Sequence, residues 1–421
     1  MTAETAPPRP DAGVANRFLE LAQAATGRTP AVRLRAWDGS EAGPHGVPVV
    51  VLRERGLLRR LLWHPNELGL ARAYVAGEID VDGDLGDALL RVRAEAAAVR
   101  RAPWRVRAGV GARAAALALR LGMLGRRPAR PPTEAALTGS RHSPRRDRAA
   151  VAFHYDLSNE FYQLILDPSL AYSCAYWPEG TTADLAAAQR AKLDLICAKL
   201  RLRPGDRLLD VGCGWGSLAC HAARHHGARV TAVTVSGQQH AFVAARIAAE
   251  GLDELVDLRL QDYRDPVGGG YDAVAAVEMG EHVGAAEYPA FAARLRDLVR
   301  PGGRVLVQQI SRGAHRPGGG AFIEAYIAPD MHMRPLGATV SLLEDAGLEV
   351  RGVEAMREHY GRTIRHWLAR LEAQWPAAVG LIGLERARIW RLYLAGGAQV
   401  FEDGRMGVDQ ILAVRPGVGA Q

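Results

Sequence analysis

Residues 208–236, "LLDVGCGWGSLACHAARHHGARVTAVTVS", decide the fold. An apolar run ending at Val211 opens into a loop carrying Gly212, Gly214 and Gly216. A helix-compatible stretch follows, and then a second apolar run, 229–235. That order is a βαβ unit, with the glycines where strand hands over to helix. Glycine there permits a tight turn and lets a ligand lie against the backbone and the helix N-terminus. A dinucleotide site would ask for G-x-G-x-x-G and for an acid about 20 residues on to hold a ribose. This chain has G-x-G-x-G, and its next strand ends at Thr234 with no carboxylate.

The form D-x-G-x-G-x-G, starting at Asp210, resembles the first motif of class I S-adenosylmethionine (SAM) methyltransferases. The resemblance implies SAM as cofactor, and it gives Asp262, in "LRLQDYRD", the adenine edge. Outward from the loop, strands are predicted at "RLLDVG", "RVTAVTV", "VDLRLQD", "YDAVAAVE" and "GRVLVQQI", with helical stretches between them. This alternation from about residue 150 predicts an α/β fold, a doubly wound, mostly parallel, Rossmann-like sheet.

The chain has 421 residues, too many for one ordinary domain. Hydrophobic residues make up 48% and charged residues 24%, the balance of a water-soluble globular chain. The net charge is +7, and the basic residues are nearly all arginine; Lys192 and Lys199 are the exceptions. The N-terminus lacks the pattern of a signal peptide, and no apolar run reaches the roughly 18 residues of a membrane span. Cys174, Cys197, Cys213 and Cys220 lack zinc spacing and are too few for a disulfide framework, so a reduced, cytoplasmic protein and no metal are expected. Four regions are expected: a Pro-rich disordered tail (1–13), an N-terminal α+β domain (14–99), an Arg-rich helix and linker (100–148), and the catalytic domain (149–421). In 14–99, "GVPVVVLRERGLLRRLLWHP" reads as two strands and "NELGLARAYVAGEIDVDGDLGDALLRV" as two helices around a turn. Residues 100–148 carry 13 arginines against Glu134 and Asp147. Such a segment can dock on anionic lipid, bind nucleic acid, or be a solvated connection. Nucleic acid is the weakest of the three, because aromatic residues do not interleave with the arginines as stacking platforms.

Several further stretches converge: "FHYDLSNEFYQLILDPSLAYSCAYW" (153–177), "VTVSGQQ", "VEMGEHVG" (277–284), "EHYGRTIRHWLAR" and "WRLYLAGGAQVFEDGRM". Together, over roughly 150–415, they resemble the cyclopropane-fatty-acyl-phospholipid synthase family. The resemblance implies a substrate, the cis double bond of an unsaturated phospholipid acyl chain, reached from the inner face of an anionic membrane. An alkene attacks the methyl group weakly and leaves a mid-chain carbocation, so the site must exclude water and offer aromatic faces. Tyr162, Tyr172, Tyr176, Trp177 and Tyr360 are candidates for those faces. Carried over residue by residue, Tyr172 and Ser173 contact SAM from a lid, Gly212 and Gly214 line its methionine part, and Thr234 and Gln239 hold the ribose. Glu281 falls at the reaction centre, and His282 beside it packs or hydrogen-bonds. Family members bind bicarbonate as the base; its holders match Cys174, Glu281, Tyr360 and Ile310, plus a histidine at the position of Gln308.

At the position of Gln308 relatives carry histidine. Glutamine keeps a donor and an acceptor but carries no positive charge. Gly397 likewise stands where relatives often have cysteine. Two products stay open, a cyclopropane ring and a mid-chain methylene branch, which a separate reductase would saturate. The altered anion site favours the branch. A homo-oligomer is compatible with the resemblance. Competing readings are a methyltransferase on a small soluble acceptor such as an amine, and a non-catalytic lipid-binding protein.

Overall fold

The structure, a computed structural model, describes residues 13–122, 125–155, 157–180, 183–313 and 317–417. The tail expected to be disordered lies, Gly13 apart, outside the described residues. The chain divides into two compact units, Met1–Thr133 and Glu134–Gln421.

In the first unit, strands β1 (Arg33–Arg35), β2 (Glu41–Ala42), β3 (Val49–Leu52) and β4 (Ile79–Asp82) form a sheet in the order β2-β1-β3-β4. Val50, Leu52, Leu57, Ala73, Ile79 and Ala88 make its core. Two expectations need correction here. Of the two strands read in 46–65, only β3 forms; the other is the helix Gly56–Trp63. Its leucines at 57, 58, 61 and 62 repeat with a helical period and do not alternate. The turn between the helices Glu67–Val75 and Leu85–Arg101 contains β4, in which Ile79 and Val81 alternate with Asp80 and Asp82. Asn66 and Asp84 cap the two helices, accepting from Gly69 N and Asp87 N.

The second unit holds a seven-stranded sheet of β5 (Arg207–Val211), β6 (Arg229–Thr234), β7 (Val256–Leu260), β8 (Tyr271–Val277), β9 (Val299–Arg312), β10 (Glu349–Ala355) and β11 (Met406–Val414). Their order is β10-β11-β9-β8-β5-β6-β7. Strands β5 to β9 pair in parallel, and β11 runs antiparallel to β9 and β10. The expected doubly wound α/β sheet is therefore present, extended by β10 and β11. Both faces are covered. Leu208, Val230, Ala273 and Leu306 point into one core with the helices Leu185–Leu200 and Ser217–His226. Leu209, Val274, Val305 and Val307 point into the other, against Tyr288, Phe291 and Leu295. Neighbouring residues on one strand thus serve opposite cores, as the pleat requires. The order of parallel strands reverses at β5, between β6 and β8, which opens a crevice at their carboxyl ends.

The domain boundary expected after residue 148 lies earlier, between Thr133 and Glu134. Residues 134–148 pack on the second unit. Ala135 N donates to Ala325 O at 2.8 Å, and Tyr326 Oη donates to Glu134 at 3.0 Å. Arg146 Nε meets the buried Asp330 at 2.5 Å, and Arg264 meets Asp147 at 3.0 Å. Stripping one partner from a buried ion pair costs roughly 3 kcal/mol. A chain beginning at Glu134 should therefore unfold in one cooperative transition, and a chain beginning at Ala149 should melt about 5 °C lower in a calorimetric scan. Equal midpoints would mean that these contacts contribute nothing.

Candidate active site

The crevice is lined by Tyr172, Ser173, Asp210, Gly212, Gly214, Thr234, Gln239 and Asp262, eight of the nine residues expected to bind cofactor. Gly212 has φ +79°, and a Cβ there would lie 3.1 Å from Met279 Cγ, so the loop accepts only glycine without strain. A Cβ on Gly214 would meet nothing within 4 Å; its backbone faces open space. The ninth residue, Gly216, lies between Trp215 and Ser217, which line the crevice; it caps the helix Ser217–His226 at φ +77°, and a Cβ there would come 2.9 Å from Val243.

The groups around the loop fit a cationic, amino-acid-bearing nucleoside. Asp210 is buried, its Oδ2 has no hydrogen-bond partner, and burial raises its carboxyl to about pH 7. Thr234 Oγ1 donates to Gln239 Oε1 at 2.8 Å on the wall where a ribose is expected. Asp262 faces the crevice with both oxygens engaged by Arg264, at 2.8 and 2.6 Å. Ser173 Oγ accepts from Lys192 Nζ at 2.8 Å, and Gln189 Nε2 ties the carbonyls of Ala171 and Ser173 to the helix Leu185–Leu200.

The expected catalytic residues come together, but around a carboxylate that sequence reasoning passed over. Glu278 Oε1 accepts from Cys174 N at 2.7 Å and from Gln308 Nε2 at 2.9 Å. Its Oε2 accepts from Tyr360 Oη at 2.6 Å. Three of the groups expected to hold bicarbonate thus hold a glutamate side chain. Ile310 N donates instead to Glu281 Oε1, at 2.5 Å. The bicarbonate expected as base does not fit this cradle, because its donors are already spent on two carboxyl groups, and the Glu278 anion would repel it. Glu278 itself sits at φ +51° just past β8, a left-handed conformation costly for any residue but glycine. Among the described residues, a half-buried acid held by three donors on a strained backbone is the mark of a functional position.

The two acids share an environment that permits one charge. Glu281 is raised to about pH 8, first by burial and then by Glu278. Glu278 is raised too, by burial, against the pull of Tyr360, Cys174, Gln308 and Lys192. Glu278 has three donors, whereas Glu281 has one and an Oε2 without a partner. The anion therefore rests on Glu278 and the proton on Glu281. Glu281 makes no side-chain cap of the turn Gly280–His282. Burial raises the Cys174 thiol and holds the His282 imidazole neutral, at about pH 4. Gln309 faces the other side of the sheet, bonding Tyr288 and Thr339, so the two neighbouring amides have separate duties.

Aromatic rings gather at the crevice beside these acids: Tyr155, Tyr172 and Trp215 line it. Behind them pack Tyr162, 4.3 Å from Trp215, Trp367, 5.1 Å from Tyr172, and Trp390. Of these, Tyr155, Trp215, Trp367 and Trp390 were not anticipated, since their separation along the chain hides their proximity. Tyr176 and Trp177 stack instead on His359 and His366 and do not line the crevice. The trio Cys197, His221 and His226 brings its ligand atoms within 4.8 Å of one another, although the spacing of the cysteines hides it. None of the three lines the crevice, and His221 is committed to Asp194 at 2.7 Å.

Glu281 also makes a pH prediction. Its carboxyl loses its proton near 4.5 when exposed and near 8 in the fold, so between those values the folded state holds an extra proton. Stability must then fall as pH rises through that window. Glu281→Gln removes the term, and its urea midpoint should drop less between pH 5 and pH 8 than that of the parent. Parallel curves would place the shared proton elsewhere.

Comparison with known proteins follows the same lines. The sequence model described as mycolic acid cyclopropane synthetase matches residues 142–411. A probable fatty acid methyltransferase of Pseudomonas putida is 40% identical over 394 residues, 91% of this chain and 92% of that protein. A second probable fatty acid methyltransferase, from Mycobacterium tuberculosis, is 38% identical over 93% of this chain and 92% of its own. Among solved structures, a mycolic acid cyclopropane synthase complexed with S-adenosylhomocysteine and CTAB superposes with a TM-score of 0.60 at 30% identity, covering 63% of this chain and 98% of that one.

Proposed function

The chain belongs to the mycolic acid cyclopropane synthetase family and is a SAM-dependent fatty acyl methyltransferase or cyclopropane synthase, and from that premise we propose its product. The protein methylates the cis double bond of an unsaturated phospholipid acyl chain and releases a mid-chain methylene branch. The observation that carries this reading is the Glu278 carboxylate in the cradle of Cys174 N, Gln308 Nε2 and Tyr360 Oη.

Bound SAM supplies an electrophilic methyl group. The loop at Gly212 and Gly214 and the lid at Tyr172 and Ser173 orient that group toward the acyl chain. The alkene π pair would form the new carbon–carbon bond as the bond from the methyl to sulfur breaks with its pair left on sulfur, leaving a cation on the neighbouring carbon. The rings of Tyr155, Tyr162, Tyr172 and Trp215 keep water from the cation and stabilise it without capturing it. The three donors occupy lone pairs of Glu278 and oppose the rise that burial gives its pKa, so proton removal is slow enough for a hydride to shift from the methyl-bearing carbon. The cation then sits at the branch carbon. Glu278 takes a proton from the methyl group, and that C–H pair becomes the methylene double bond. A separate reductase would consume such a product. A faster base would take the same proton before the shift, and the ring would close.

The helix Trp104–Arg120 supports a membrane substrate. It exposes Trp104 and Leu119 beside Arg105, Arg107, Arg113 and Arg120, and Ala118 is its one buried side chain. No helix of the described residues is long and apolar enough to cross a membrane, so this face would dock at an anionic bilayer surface. Trp104→Glu with Leu119→Glu should reduce co-sedimentation with anionic phospholipid vesicles severalfold; undiminished binding would sink the docking face.

Mass spectrometry of lipids from a host expressing the protein should find the methylene branch, and a cyclopropane-only product would overturn the reading. Turnover should not respond to added bicarbonate. Glu278→Gln should lower kcat at least ~100-fold, the scale of a general base, while SAM still binds. Glu278→Gly relieves the left-handed backbone and vacates the cradle. Its residual activity should rise with bicarbonate, because the three donors would then face a free anion.

A further inference from the structure

Two of the 53 basic residues are lysines, and both lie on the helix Leu185–Leu200, seven positions and therefore two turns apart. Lys192 serves the lid through Ser173. Lys199 opens a line of side chains that ends at Glu278. Its Nζ meets Glu354 at 2.5 Å and donates to Gln410 Oε1 at 2.6 Å. Gln410 Nε2 donates to Gln308 Oε1 at 2.9 Å, and Gln308 Nε2 donates to Glu278 Oε1 at 2.9 Å. Gln308 and Gln410 are directly paired across β9 and β11, and both are fully buried.

We infer that Lys199 and Gln410 are positioning residues, which hold the amide of Gln308 with its donor turned toward the base. This rests on the reading of Glu278 as the base. The two ends of a glutamine amide have nearly the same shape, so packing alone does not choose which end faces Glu278. The ends of the line do choose. An ammonium only donates and a carboxylate only accepts. Gln410 must therefore give Lys199 its oxygen and Gln308 its nitrogen, and Gln308 must give Glu278 its nitrogen. Reversing Gln308 alone would set like against like at both of its ends, buried where water cannot repair the loss. A reversed Gln308 would also place its carbonyl oxygen against the carboxylate and push the base off its line. Lysine suits the first position because its compact ammonium reaches Glu354 and Gln410 at once, where the rigid fork of arginine would need more room.

The test uses the full chain with unsaturated phospholipid vesicles, measuring kcat and, by calorimetry, the Kd for SAM. Gln410→Glu has the shape of the parent and keeps the partner of Lys199, but it accepts at both ends. It should reverse Gln308 and lower kcat at least about tenfold, the worth of one buried hydrogen bond, with the Kd for SAM unchanged. Lys199→Met removes the donor that starts the line and should lower kcat in the same direction, again without weakening SAM. Glu278→Gln is the reference. If it is inactive while Gln410→Glu and Lys199→Met turn over like the parent, the positioning role is overturned and the base stands. If Glu278→Gln is fully active, the reading of the base falls, and this inference with it. Should Gln410→Glu fail to fold, Lys199→Met decides alone, and a parental kcat in it overturns the proposal.

Discussion

A single charge at the end of a strand, half withdrawn from water at the wall of the crevice, sets the terms for the rest of this molecule. Burying a carboxylate costs several kcal/mol unless donors replace its water. Glu278 receives its donors from three separate parts of the chain: the loop at Cys174, the strand β9 and the helix Arg357–Ala373. None of these can be withdrawn without leaving the charge uncompensated, so the site and the fold of the second unit stand or fall together. Glu281, nearby and short of donors, lowers the cost by keeping a proton. Lys192, forced toward its neutral form by burial, is held in place by this same negative charge.

The aromatic chamber answers a second constraint. A cation in mid-chain reacts with any nucleophile it meets, and water is the commonest. Rings offer electron density without a lone pair that could bond to carbon. The hydroxyl groups in the chamber are committed elsewhere: Tyr162 donates to the carbonyl of His154, Tyr172 to Tyr393, and Tyr360 to Glu278. Burial keeps the imidazoles of His154 and His282 uncharged, so they add no positive charge beside the cation.

Legibility in the sequence followed the range of the interactions. Strands β5, β6, β8 and β9 were readable because each contains an apolar run buried on both faces, whereas β7, "VDLRL" at the sheet edge, was readable from its alternation of apolar and charged residues. Strands β10 and β11 were not: "EVRGVEA" and "MGVDQILAV" mix charged and amide residues with apolar ones, and their pairing is decided by neighbours. Glu281, Tyr360, Gln308 and Cys174 were found through local stretches of resemblance. Glu278 was missed because its meaning lies in donors that arrive from 104, 82 and 30 positions away. One signal was available. An acid closes the apolar run "AVAAV" of 273–277, and its neighbour Val277 pairs in register with Gln308 at the ligand edge of the sheet. Gly216 shows a second duty that spacing does not reveal: a glycine counted into a binding loop also caps a helix where a Cβ would press on Val243.

The left-handed backbone at Glu278 bears on how such enzymes diverge. The position carries a side chain against a steric preference for glycine, so only what the carboxylate does keeps it there. Glutamate and glycine codons differ by a single base. A lineage can therefore pass in one mutational step between a base built into the polypeptide and an empty cradle that must borrow an anion from solution. The donors around that cradle need not change for the passage to occur, which makes the choice of base, on the proposed reading of Glu278, a matter of one codon.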